Sequence, residues 1–172
     1  MKNPCSSVAT VVLSLIVLPF PIAISAQPGS ADKAAIEAQV EKCRKAFEAR
    51  DVDKIMACYA PGDQLFVFDA VPPRDYPSWE AYKKDWEDLF AMFPGPIKDH
   101  ISELSVTVVG PVAYTHKIED THFTTKDGTE KELVVRETDV YRKMGGKWLI
   151  VQEHVSFPVN PGTGMADLMS KP

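Results

Sequence analysis

The sequence predicts one α+β domain, with three helices in its first half packed on one face of a mainly antiparallel sheet supplied by its second half. Three observations carry this expectation. Apolar residues recur at helical spacing from Ile36 to Phe93, the pattern turns to alternation after Pro96, and turn signals at Gly110-Pro111, Lys126-Asp127-Gly128 and Gly145-Gly146 separate long alternating runs.

A leader-like stretch precedes that domain. Lys2 is followed by apolar sequence from Val8 to Ile24 and by the small pair Ser25-Ala26, the layout of a secretory signal cleaved after Ala26. Pro19 and Pro21 interrupt the stretch, which is short for a membrane span of about 20 apolar residues; a retained anchor is the competing reading. The expected organisation is therefore a signal over 1–26, a domain over 27–160 and a tail over 161–172, in a periplasmic or secreted protein that leaves the membrane on cleavage. The whole chain of 172 residues carries a net charge of −5, and loss of Lys2 makes it more acidic. No arginine-lysine cluster or basic stripe appears, which argues against nucleic acid or an anionic membrane as partner.

The elements follow in order. Asp32 is placed to cap a first helix whose apolar face is Ile36, Val40, Cys43 and Phe47, with Glu37, Glu41, Lys45 and Arg50 off that face. Asp51 starts a shorter second helix through Ile55, Cys58 and Tyr59, which Pro61-Gly62 ends. Leu65 to Phe68 reads as a short strand closed by Asp69, and the prolines between Ala70 and Pro77 exclude regular structure there. Ser78 caps a third, aromatic helix carrying Trp79, Tyr82, Trp86, Leu89, Phe90 and Phe93, stopped at Pro94-Gly95-Pro96. Four strands complete the domain, over Ile101–Val109, Val112–Thr125, Glu132–Lys143 and Lys147–Phe157.

Strict alternation along the last strand puts Trp148, Ile150, Gln152, His154 and Ser156 on one side and Leu149, Val151, Glu153 and Val155 on the other. The side of Trp148 and His154 is expected to face inward, because tryptophan and isoleucine gain most from burial. A bulge would reverse that assignment. Cys43 and Cys58 stand fifteen residues apart; an oxidising compartment permits a disulfide contributing about 3 kcal/mol, and two buried thiols are the alternative.

Certain segments carry a resemblance to a known family. Phe66-Val67-Phe68-Asp69 with Pro72-Pro73, Tyr76 and Trp86, then His116, Arg136 to Lys143 and Gly146 to Ser156, resemble the NTF2-like superfamily and within it the SnoaL-like, ketosteroid-isomerase-homologue proteins. The resemblance implies a cone-shaped (cystatin-like) fold whose curved sheet wraps one small pocket, and homodimers formed through the exposed sheet face. It implies no cofactor. Relatives range from isomerases, cyclases and dehydratases to binding and assembly domains. The carboxylate, tyrosine and acid of the ketosteroid isomerases do not map residue by residue onto this chain, and Gln152 stands where related proteins carry a further histidine.

Within that frame His154 is the first candidate for proton transfer, since an imidazole titrates near ~6.5. Asp69, at the end of an apolar strand, either orients His154 or acts as the base itself; capping the proline segment is its structural alternative. Arg136 needs a partner, either Asp69 or a carboxylate on the ligand. His116 supplies a further polar contact, while Tyr76, Tyr82 and Trp86 offer aromatic surface to the core or the pocket wall. No short histidine spacing supports a metal, and no phosphate loop, dinucleotide fingerprint or nucleophile elbow is present. Three readings stay open. The first is an exported protein binding a small, partly apolar molecule, which bears a carboxylate if Arg136 grips it. The second is a cofactor-independent isomerase, cyclase or dehydratase using His154 and Asp69, and the third is an assembly domain.

Overall fold

The computed structural model describes residues 28–170, so the expected signal over 1–26 lies outside the described residues. Helix α1 spans Pro28–Glu48 and buries Ile36 and Val40, with Cys43 and Phe47 packed beside them. It begins ahead of Asp32, which does not act as its cap. Asp32 instead accepts hydrogen bonds from Lys143 Nζ at 2.6 Å and the Trp148 indole at 3.2 Å, tying α1 to the far end of the sheet. Helix α2, Val52–Met56, is capped by Asp51, whose side chain accepts from the Lys54 amide at 3.0 Å. A disulfide joins Cys43 on α1 to Cys58 just after α2.

Helix α3, Trp79–Met92, starts at Ser78, whose hydroxyl accepts from the Ala81 amide at 3.2 Å. Its end is held by Arg50, whose guanidinium donates to the carbonyls of Phe90, Phe93 and Gly95. Arg50 has a φ of 57°, a left-handed backbone that turns α1 into α2. These contacts fix α3 over the sheet, where it forms one wall of the site described below.

The sheet contains β1 (Phe66–Phe68), β2 (Ile97–Val109), β3 (Val112–Thr124), β4 (Glu130–Met144) and β5 (Lys147–Ser156), in the order β1-β5-β4-β3-β2. The last four make an antiparallel meander, and β1 adds to β5 in parallel. The expected cone is not formed. The sheet is open and mainly antiparallel, with β1 and β2 at its two ends, and Val67 of β1 exchanges backbone hydrogen bonds with Tyr76 on its outer side; a three-residue β1 cannot match the thirteen residues of β2 to close it. The α+β class and the three covering helices hold. Core residues from the helices, such as Ile36, Ile55 and Phe90, meet Ala113, Phe123, Tyr141 and Ile150 from the sheet.

The register along β5 decides which residues face that core. Val140 of β4 pairs with Gln152 whereas Tyr141 pairs with Ile150, so Val151 is one extra residue, a bulge. Trp148 and Ile150 are buried as expected, but beyond the bulge the inward position passes to Glu153, which is 2% exposed, and His154 turns outward.

Candidate functional site

A cavity of about 160 Å³ lies between the helices and the sheet. Phe47 of α1 and Tyr82, Trp86 and Leu89 of α3 supply apolar wall, while Lys117, Glu137, Asp139 and Glu153 come from the central strands. Strand alternation places these charges together. Lys117 shares a face of β3 with Thr115 and Thr121, and Glu137 and Asp139 share a face of β4 with Tyr141. The register then pairs Lys117 with Glu137, Thr115 with Asp139, and Asp139 with Glu153.

All four charged groups are buried and bonded. Lys117 Nζ donates to Glu137, to Asp139 Oδ2 at 3.0 Å, and lies 3.4 Å from Glu119. Asp139 Oδ2 also accepts from Thr115 at 3.1 Å and from the Tyr141 hydroxyl at 3.0 Å. Glu153 accepts from Tyr59 at 2.7 Å and from Tyr82 at 2.5 Å. Oxygens of Glu137, Asp139 and Glu153 lie within 4.8 Å of one another, a donor set suited to a cation, and the Lys117 ammonium already sits among them.

Three carboxyl groups share one ammonium, and burial sets the consequence. Glu153 is pushed up to about 8, first by burial and then by the charge of Asp139, against the opposing pull of Tyr82, Lys117 and Tyr59. Glu137 rises well above the ordinary range for the same two reasons. Burial lowers Lys117, but Asp139, Glu137 and Glu119 outweigh it and keep the amine charged. Tyr59 and Tyr82 are raised by burial and by Glu153, so both remain hydroxyl donors. Farther along the same wall, Asp99 is raised to about 7 by burial and by Glu119, and accepts from Thr121 at 2.6 Å. The arrangement can give or take a proton near neutrality in an apolar setting.

The residues singled out from sequence are distributed over both faces of the sheet. Asp69 lines the cavity, with Oδ2 3.4 Å from the Tyr82 hydroxyl, and burial followed by the charge of Asp85 raises it. Tyr82 and Trp86 line the cavity as well. Tyr76 is buried beside Tyr82 but outside the lining, and donates to Asp85 at 2.6 Å. His154 is exposed, its ring edge-on to Phe68 at 5.6 Å, and the structure does not bring it to Asp69 in the cavity. Arg136 is also exposed and donates to the Phe157 carbonyl at 3.1 Å, so it pairs with neither Asp69 nor the cavity. His116 shares a cross-strand row with Thr138 and His154 on the outer face.

The physical reasons differ. The Val151 bulge inverts His154, whereas His116 and Arg136 sit on the strand faces opposite Lys117 and Glu137. Sequence reasoning missed Tyr59, Lys117, Glu137, Asp139 and Glu153. Their signal was an alternating set, Leu133, Val135, Glu137, Asp139 and Tyr141, in which acids share a face with apolar residues. Such acids resemble a solvated stripe unless the neighbouring strand supplies Lys117.

A SnoaL-like domain model matches residues 36–160. No curated protein matches the chain. Among solved structures, an NTF2-like protein of unknown function from Pseudomonas putida KT2440 is 29% identical with a TM-score of 0.75, over 83% of this chain and 98% of that one. A nuclear transport factor 2 (NTF2-like) superfamily protein from Salmonella enterica is 16% identical with a TM-score of 0.70, over 80% and 99%. A ketosteroid isomerase-like protein from Erwinia carotovora is 20% identical with a TM-score of 0.62, over 73% and 95%. At such identities the last two show likeness of fold alone.

Proposed function

The chain belongs to the SnoaL-like domain family of the NTF2-like superfamily, and from that premise we propose that it is a cofactor-independent acid–base catalyst, an isomerase, cyclase or dehydratase, acting on a small and largely apolar molecule. The observation that carries this reading is Glu153, a buried carboxyl group raised to about 8 and held by two tyrosine hydroxyls at the wall of an apolar cavity. Glu153, rather than the outward His154, exchanges the proton with a carbonyl- or hydroxyl-bearing substrate. Tyr59 and Tyr82 stabilise the carboxylate when the proton leaves, and Lys117 neutralises Asp139 and Glu137 beside it. Asp69 is the second proton carrier, reaching the same network through Tyr82.

The cavity wall bears seven carboxyl groups, among them Asp69, Asp99 and Glu119, against Lys117 and Arg44. Arg44 is bonded to Glu41 and Glu48, so a neutral substrate suits the cavity better than one bearing a carboxylate. The Cys43–Cys58 disulfide supports an exported protein, periplasmic or secreted.

Exchange of hydrogen for deuterium alpha to the carbonyl, followed by NMR across a panel of cyclic ketones in heavy water, tests the reading. Wild-type protein accelerates exchange in at least one member, and Glu153→Gln slows it by roughly 100-fold or more without loss of fold. An unchanged rate in Glu153→Gln removes Glu153 from the chemistry. Binding with no exchange in any ketone leaves a small-molecule-binding protein, which the same apolar walls support.

A further inference from the structure

Buried polar side chains nearly always find partners, because an unpaired one forfeits its hydration without replacement. Among the described residues the buried side-chain atoms lacking one include Trp86 Nε1, Asp99 Oδ2 and Asp139 Oδ1, and all three residues line the same cavity. Asp139 is 0% exposed and Asp99 7%. The other two tryptophans show the usual outcome, with Trp79 donating to the Met56 carbonyl at 2.9 Å and Trp148 to Asp32 at 3.2 Å. Trp86 thus offers an unpaired donor on the helical wall, and the two aspartates offer unpaired carboxyl oxygens on the sheet. The volume, about 160 Å³, is close to that of an apolar cavity known to admit benzene, ~150 Å³.

We propose that the cavity binds a neutral, ring-sized molecule with two poles, a carbonyl-type acceptor for the Trp86 indole and a hydroxyl or N–H donor for Asp139 or Asp99. This rests on the reading of the cavity as a ligand site and names the chemistry of the ligand. The aromatic wall takes the ring. The carboxyl groups exclude anions, and an unsubstituted hydrocarbon leaves all three polar atoms unpaired.

Two-dimensional ¹H–¹⁵N spectra of the full chain test the proposal with toluene, benzaldehyde, 3- and 4-hydroxybenzaldehyde and benzoate as probes. A hydroxybenzaldehyde binds roughly tenfold or more tighter than toluene, and benzoate is the weakest of the set. Binding shifts the indole N–H signal of Trp86 downfield while those of Trp79 and Trp148 stay in place. Trp86→Phe, checked for fold by the two remaining indole signals, abolishes the advantage of benzaldehyde over toluene. Asp139→Asn reduces the added advantage of the hydroxyl group. Equal binding of toluene, tighter binding of benzoate, binding that leaves the Trp86 signal unmoved, or no binding of any neutral probe at millimolar concentration overturns the proposal. Ketone exchange lost in Glu153→Gln with no shift at Trp86 would sink this inference alone, and a Trp86 shift without exchange would sink only the catalytic reading.

Discussion

Glu153 and Lys117 set the pH response and the local stability of the site. In the unfolded chain Glu153 titrates near its ordinary 4.5 and in the fold near 8, so between those values the folded state keeps a proton that the unfolded state has lost. Its stabilising contribution is therefore full below about 4.5 and is lost as pH rises through about 8. Glu137, raised in the same direction, adds to the slope. Urea midpoints measured from about pH 5 to about pH 9 should fall steadily in the wild type and fall less in Glu153→Gln, which removes the charge but keeps the shape. A parallel decline in the two proteins would show that Glu153 is not the titrating group. Lys117→Met should cost about 3–5 kcal/mol, most at high pH, because Glu137 and Asp139 lose the cation that compensates their burial. A loss below about 1 kcal/mol in chemical denaturation would mean that Lys117 does not compensate the burial of the two acids.

At the scale of elements, most local chemistry was legible, the exception being Asp32, which lies inside α1 and bonds Lys143 and Trp148 instead of capping the helix. Ser78 and Asp51 cap the helices they were expected to cap, and each expected strand exists, although β2 begins at Ile97 instead of Ile101. What could not be read was any property that depends on a partner strand. The β5 bulge exists only through pairing with β4, and it alone decides that Glu153 looks inward and His154 outward. Likewise the acids of β4 become a site only when the register sets Lys117 opposite Glu137. Asp69, Tyr82 and Trp86 were found because their setting, a strand end and a helix face, is local. The junctions between elements give two further tests. A Cβ on Gly95 would stand 2.5 Å from Thr124 Cβ and 2.8 Å from its carbonyl oxygen, so Gly95→Ala should destabilise by about 1–3 kcal/mol by forcing α3 and β3 apart. Removing the tie between α1 and the end of α2 in Cys43→Ala/Cys58→Ala should cost about 3 kcal/mol in urea unfolding, and an unchanged midpoint would show that the bridge constrains nothing.

For the whole molecule, an open sheet with helices on one side leaves its other face to be accounted for. Registers align Phe66, Gln152, Val140 and Tyr114 in one row across that face and Phe68, His154, Thr138 and His116 in the next. Phe66, Phe68 and Tyr114 are 37%, 38% and 44% exposed, with Gln152 and Val140 between Phe66 and Tyr114. The two histidines read from sequence as site residues belong to these rows, so their neighbours are aromatic and polar surface groups and not the acids of the cavity. The homodimer that the family resemblance implies would bury this face, and a stable one needs about 800 Å² from each partner. Light scattering at micromolar concentration should then give twice the chain mass, and Phe68→Lys/Tyr114→Lys should give the chain mass with the fold intact. Because alternate residues of each strand point to opposite faces, that double variant leaves Lys117, Asp139 and Glu153 in place, and ketone exchange should persist in the monomer. A wild-type monomer would remove the dimer, while exchange lost together with the dimer would show that the cavity is completed by the second copy.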